Sequence, residues 1–116
     1  MSLFRIGDYT LASGRRARFK IECDALMDED WLALAELIAA RVAFSEAVGV
    51  PRGGVKLAKA LAGFATYGRR LVVDDVLTTG GSITKLMGPD DLGFVVFARG
   101  PLPPRVRALF VMDGDG

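Results

Sequence analysis

The chain has 116 residues, 51% of them apolar and 25% charged, with a formal net charge of +1. That length supports one domain with a modest core, and the composition is globular rather than disordered or fibrous. The small net charge gives no bulk electrostatic case for nucleic acid or an anionic membrane, and with no histidine and one cysteine, Cys23, zinc or haem ligation, histidine acid–base catalysis and an internal disulfide are excluded.

Arg5 and Asp8 leave no apolar signal core near the N-terminus, and no stretch approaches the roughly 18 uncharged apolar residues of a membrane span. A cytoplasmic domain is expected, its single cysteine suited to a reducing compartment. Residues 1–24 read as extended. Phe19, Ile21 and Cys23 alternate with Lys20, Glu22 and Asp24, the period of a strand with one wet face. Ser13-Gly14-Arg15-Arg16 is the turn before it, with Tyr9-Thr10-Leu11 as hairpin partner. Arg15, Arg16, Arg18 and Lys20 read as a solvated face, an anion site being the alternative. Asp28-Glu29-Asp30 caps a helix and complements its dipole. Trp31, Leu34, Ala35, Ile38 and Val42 form its apolar stripe, which makes Trp31 a core residue and ends the helix near 41–44.

Ala47-Val48-Gly49-Val50 is a short strand, followed by a Pro51-Arg52-Gly53-Gly54 loop. A helix over Val55–Phe64 turns Leu57, Ala58, Leu61, Ala62 and Phe64 inward and Lys56 and Lys59 outward. Leu71-Val72-Val73 suits a strand buried on both faces of a parallel sheet. Asp74 and Asp75 stand at its end, then Thr78-Thr79-Gly80-Gly81-Ser82, then a helix with Ser82 as N-cap that Gly88-Pro89 stops. Glycines and hydroxyls ahead of a helix start favour a phosphate group. Carboxylates repel phosphate but accept hydrogen bonds from sugar hydroxyls or from water on Mg²⁺. Phosphate, hydroxyls and Mg²⁺ together describe a ribose 5-phosphate. Successive strand residues point to opposite faces, so both aspartates meet one ligand only if the strand ends or bends there. Phe94–Phe97 and Val106–Val111 are two further strands, joined by a proline-rich Arg99–Pro104 loop, and residues 113–116 form a polar tail.

Val72-Val73-Asp74-Asp75-Val76-Leu77-Thr78-Thr79-Gly80-Gly81-Ser82 resembles the phosphoribosyl-pyrophosphate (PRPP) motif of type I phosphoribosyltransferases. The resemblance implies one α/β domain over residues 1–116, a mainly parallel twisted sheet flanked by helices. Residues 1–24 would be an extended hood and 25–112 the core. It implies that Asp74 and Asp75 hold the ribose hydroxyls and stabilise a cationic sugar. Val76, Leu77, Thr78, Thr79, Gly80, Gly81 and Ser82 would hold the 5-phosphate. Gly49-Val50-Pro51-Arg52-Gly53-Gly54 is similar to the family's pyrophosphate loop, in which Pro51, Arg52, Gly53 and Gly54 would hold the diphosphate, with a non-proline cis peptide expected at Arg52–Gly53. Phe4–Gly14 resembles the hood of orotate phosphoribosyltransferases, although Ala12 stands where relatives often carry Lys. The resemblance implies a base pocket in which Lys20 would be the substitute for it and to which Arg99 would also belong.

The reaction so implied moves ribose 5-phosphate from PRPP to the nitrogen of an orotate-like base and releases pyrophosphate. Mg²⁺ would be held mainly by PRPP, with no direct protein ligand and contact through water to Asp74 or Asp75, and the protein would be a homodimer. The sixteen residues between Gly54 and Leu71 leave no room for the second strand and mobile cationic lid that full-length relatives carry there. A non-catalytic PRPP- or nucleotide-binding module is therefore the alternative, and an RNA-binding role resting on the Arg15–Lys20 cluster is a third.

Overall fold

The computed structural model describes residues 2–10, 14 and 16–112. The Ala12 position of the hood, Arg15 of the basic cluster and the tail at 113–116 lie outside these residues. The chain begins with a two-stranded antiparallel ribbon, β1 (Phe4–Thr10) and β2 (Arg16–Ile21), in which Phe4 pairs with Ile21 and Ile6 with Phe19. The expected alternation holds beyond the strand: Ile21 and Cys23 are buried while Lys20 and Asp24 are exposed.

Helix α1 (Asp28–Ala39) buries Trp31, Ala35 and Ile38. Its N-cap is Met27, whose N–H donates to Asp30 Oδ2 at 2.8 Å, so the acidic run contributes one cap bond from inside the first turn. The helix stops earlier than its apolar stripe suggests, because the N–H groups of Arg41 and Val42 both turn back to Ile38 O. Helix α2 (Val55–Leu61) is likewise shorter than expected and passes into a 3-10 turn at Ala62–Phe64, which leaves Ala62 exposed rather than inward.

The main sheet is parallel throughout, in the order β3 (Ala47–Gly49), β4 (Leu71–Leu77), β5 (Leu92–Ala98), β6 (Val106–Val111). Leu71, Val73, Phe94 and Val96 pack beneath α1 and α2, together with Ile21 and Cys23 from the ribbon. Val72, Val95 and Val106 pack on the other face against Ile83 of α3 (Gly81–Leu86). β3, β4 and β5 succeed one another in a single direction, yet α2 and α3 cover opposite faces. The two crossovers therefore have opposite hands, although about 98% of parallel crossovers are right-handed.

β5 reaches β6 without a helix. Seven residues, 99–105, return beside the sheet with Pro103 over Gly80, bending at 99–100 and turning at 104–105. Arg105 (φ 64°) locks the lower end, donating to Pro89 O at 2.6 Å and Asp91 O at 2.7 Å. No helix among the described residues is long and apolar enough to cross a membrane.

Candidate active site

Both Gly-containing loops leave the C-terminal ends of parallel strands, where open α/β sheets bind ligands. The Thr78–Ser82 loop follows β4 and closes on a cavity of ≈ 40 Å³ lined by Asp74, Val76, Leu77, Thr78, Thr79, Gly80, Gly81, Ser82, Ile83 and Val95. With roughly 10–15 Å³ per water position, that is room for about three oxygens, the scale of a phosphate group. The N-cap of α3 is Gly80, not Ser82, and it takes φ +85° with no side-chain cap. The helix starts two residues earlier than expected, at a glycine that enters this left-handed conformation at low cost. Ser82 is thereby inside the helix, and Thr84 closes the turn, its N–H and its hydroxyl both donating to Gly80 O.

β4 does not end at the aspartates but runs on to Leu77. Its side chains alternate through Asp75 and then slip: Val73 and Val76 join the core under α1 and α2, while Val72 and Leu77 join the opposite one. β5 slips at the register-matched place, Val96 and Phe97 both facing the first core. Asp74 and Asp75, still in alternation, line different cavities, although their carboxyl groups remain close enough to interact. Asp74 lines the phosphate-sized cavity, and Asp75 lines a larger one of ≈ 380 Å³ shared with Cys23, Asp24, Trp31, Arg52, Gly53 and Lys56. Each is steadied by its own strand: Asp75 N–H donates to Asp74 Oδ1 at 2.9 Å and Val76 N–H to Asp75 Oδ1 at 2.7 Å.

Their proximity has an electrostatic consequence. Burial first, then hydrogen bonding and repulsion from Asp75, push the Asp74 carboxyl up to about 7. The Cys23 thiol is pushed up to about 12 by burial and, after that, by the Asp75 carboxylate it faces. Asp74 is thus the carboxyl that takes up a proton near neutrality. Among the described residues no cluster of three or more acidic or cysteine side chains forms a metal cage.

The Pro51–Gly54 loop packs against β4. A cis peptide does occur here, between Pro51 and Arg52 rather than at the expected Arg52–Gly53 bond. The turn is drawn tight by Gly54 N–H donating to Val50 O at 2.8 Å, which presses Gly53 onto Asp75. The remaining expected residues lie toward the ribbon. The Arg99 guanidinium is 2% exposed, sits 4.1 Å above the Phe19 ring and donates to Phe19 O at 2.9 Å, clamping β2 to the rim. Lys20 is exposed and pairs with Glu22 at 3.2 Å.

Sequence reasoning missed the roles of Cys23, Asp24, Trp31 and Lys56 as walls of the larger cavity. Lys56, two residues past the Pro51–Gly54 loop, carried the one readable signal. Trp31 is a core residue as expected, 3% exposed, but its ring also forms part of this wall.

This is the type I phosphoribosyltransferase fold. Among solved structures the chain is similar to orotate phosphoribosyltransferase from Aeropyrum pernix, with a TM-score of 0.71 and 23% identity over 95% of this chain and 88% of that one. It is also similar to the Leishmania donovani UMP synthase, with a TM-score of 0.73 and 15% identity over 95% of this chain and 34% of that one. A third likeness is to the Mycobacterium tuberculosis H37Rv orotate phosphoribosyltransferase, at 0.66 and 19% over 96% and 90% of the two chains. No family model matches the sequence, and no curated protein matches it.

Proposed function

We propose that this protein binds PRPP and transfers its ribose 5-phosphate to the nitrogen of an orotate-like base, releasing pyrophosphate. One observation carries the reading. A phosphate-sized cavity in the Thr78–Ser82 loop adjoins an aspartate pair, and the Pro51–Gly54 loop abuts that pair from the neighbouring strand. Such chemistry develops positive charge on the sugar and negative charge on the departing diphosphate, so the protein's work is positioning and electrostatic stabilisation.

In this reading the loop residues Val76 to Ser82 hold the 5-phosphate. Asp75 and Asp74 accept hydrogen bonds from the ribose hydroxyls and face the cationic sugar. Arg52, Gly53 and Gly54 hold the diphosphate, and Lys20 and Arg99 belong to the base side of the site. Mg²⁺, bound mainly by PRPP, supplies charge neutralisation for the diphosphate. The buried, reduced Cys23 suits the cytosol, and the protein acts as a homodimer.

The second reading is a binding module of the same fold that does not turn PRPP over. The short, strand-free interval at residues 65–70 favours it, because a mobile lid has no place there. Calorimetry with PRPP and Mg²⁺ tests both readings, and base-dependent pyrophosphate release separates them. No binding of PRPP at millimolar concentration overturns both.

A further inference from the structure

The larger cavity beside Asp75 contains side chains of both signs. Arg52 enters from the loop after β3 and Lys56 from the first turn of α2. Asp24 comes from the β2–α1 connection and Asp75 from β4, with Trp31 as a wall. Its ≈ 380 Å³ is at the lower end of small-molecule sites, about 300–1,000 Å³, and is far larger than the phosphate cavity next to it. A bare anion gains little here, since two carboxylates offset the two cations. A diphosphate carrying a divalent cation matches the lining on both counts: the cations take phosphate oxygens, and the carboxylates take waters on the metal. Trp31 adds an indole N–H that is buried without an acceptor in the protein, a donor available to a polar ligand after a small shift.

We propose that Lys56 and Asp24 are specificity-determining residues, making the site selective for a magnesium-complexed diphosphate ester over the same sugar carrying only its 5-phosphate. The inference rests on the PRPP reading and deepens it. Lys56, on the first turn of α2, would supply a cation toward the diphosphate, and Asp24, on the β2–α1 connection, would accept from water on its metal. Lys59, one turn further along α2, lines the adjoining groove with Asp28, Trp31 and Lys56 itself but not the larger cavity.

The test uses the full chain and follows the fluorescence of Trp31, the single tryptophan, on titration with PRPP, ribose 5-phosphate and inorganic pyrophosphate, each with and without Mg²⁺. Lys56→Ala is expected to weaken PRPP and pyrophosphate about 10-fold and to leave ribose 5-phosphate unchanged, with Lys56→Arg restoring affinity. Asp24→Asn is expected to reduce the gain in PRPP affinity that Mg²⁺ brings, and Lys59→Ala to change nothing. Lys56 and Asp24 are both exposed, so their replacement leaves the fold intact, which thermal unfolding checks. Equal loss of PRPP and ribose 5-phosphate in Lys56→Ala, or no loss of either, overturns the assignment while the PRPP reading stands. A wild-type chain that binds neither sugar phosphate overturns the PRPP reading itself.

Discussion

The Asp75 carboxylate occupies the space where a side chain on Gly53 would begin: a Cβ there would lie 2.5 Å from Asp75 Oδ1 and 2.6 Å from its Cγ and Oδ2. The loop after β3 and the strand end of β4 are thus fitted to each other through one glycine and one carboxylate. Gly53→Ala must push the carboxylate aside or open the loop. We expect it to weaken PRPP about 10-fold, as loss of a charge-assisted contact does, with a small loss of thermal stability. Calorimetry on the variant decides this, and wild-type affinity would show that the Asp75 position does not matter to the ligand.

The phosphate cavity is best tested at Gly81. Gly80, the more obvious target, has φ +85°, and a Cβ on it would lie 2.5 Å from Pro103 Cγ. Gly80→Val should therefore damage the fold as well as the site. At Gly81 the nearest atom to an added Cβ is Thr79 Oγ1 at 3.6 Å, so the helix accepts a side chain there while the cavity narrows. Gly81→Val is expected to lower affinity for both PRPP and ribose 5-phosphate at least 10-fold, with a melting temperature close to wild type. An unchanged affinity for ribose 5-phosphate removes the phosphate assignment.

How much of this was readable in the sequence varies with the range of the interaction. The strands followed from apolar runs such as Leu71–Val73 and Phe94–Phe97, and the two loops from glycine punctuation, because these are local features. The N-cap at Gly80 was misread because a left-handed glycine displaces a serine two residues on. The face slip after Asp75 was invisible, since Val76 and Leu77, like Val96 and Phe97, are apolar on either face. The larger cavity needed Cys23 and Asp24 beside Asp75, a contact across half the chain. The short interval before Leu71 was visible by counting, and it leaves a topological mark. An additional strand outside β3, entered from α2 and left for β4, would give both crossovers the same hand; without it they differ.

Asp74 gives the folded protein a pH dependence whose sign can be worked out. Its native carboxyl titrates at about 7 against an ordinary 3.8, so between these values the folded state binds more protons than the unfolded one. Stability from this group is complete below about 4 and is lost as pH rises through 7. Asp91 acts oppositely: its bonds from Arg70 and from Gly88 N–H hold it below its usual range, so its contribution fades only in stronger acid. Between pH 5 and 8 the melting temperature should therefore fall, and Asp74→Asn should flatten that slope. The same slope in the variant would assign it to another group.

A homodimer is expected through the apolar end of the molecule. Ile6 is 85% and Val111 71% exposed, Phe4 and Phe110 are also exposed, and Phe97 joins the ribbon to β6, edge-to-face with Phe4 and stacked with Phe110. β6 is a sheet edge and so offers unpaired backbone groups beside these side chains. A second copy related by two-fold symmetry would cover such a face. Sedimentation at tens of micromolar, about where a standard interface holds, should give a dimer that Ile6→Asp dissociates. A wild-type monomer there removes the proposal.

The protein should bind PRPP better than it turns it over. A lid acts mainly in the transition state, excluding water and bringing cations to the departing diphosphate, and contacts made only there set the turnover rate. Residues 65–70 contain neither strand nor helix, and the arginines next to the central strand do not compensate. Arg70 is spent at the opposite end of the sheet, donating from Nε to Asp91 Oδ2 at 3.0 Å, and Arg69 precedes it there. The residues proposed to contact bound PRPP, by contrast, are brought together: the Thr78–Ser82 cavity, Asp75 over Gly53, and Arg52 and Lys56 beside Asp75. Loss of one preorganised electrostatic group commonly costs a factor of about 10² to 10³ in rate. An open site should also admit water, so part of the PRPP consumed should appear as ribose 5-phosphate rather than nucleotide. Steady-state pyrophosphate release with orotate and other bases, set beside calorimetric affinity, measures both effects. Several turnovers per second, tightly coupled to one base, would show that this fold completes catalysis without a lid.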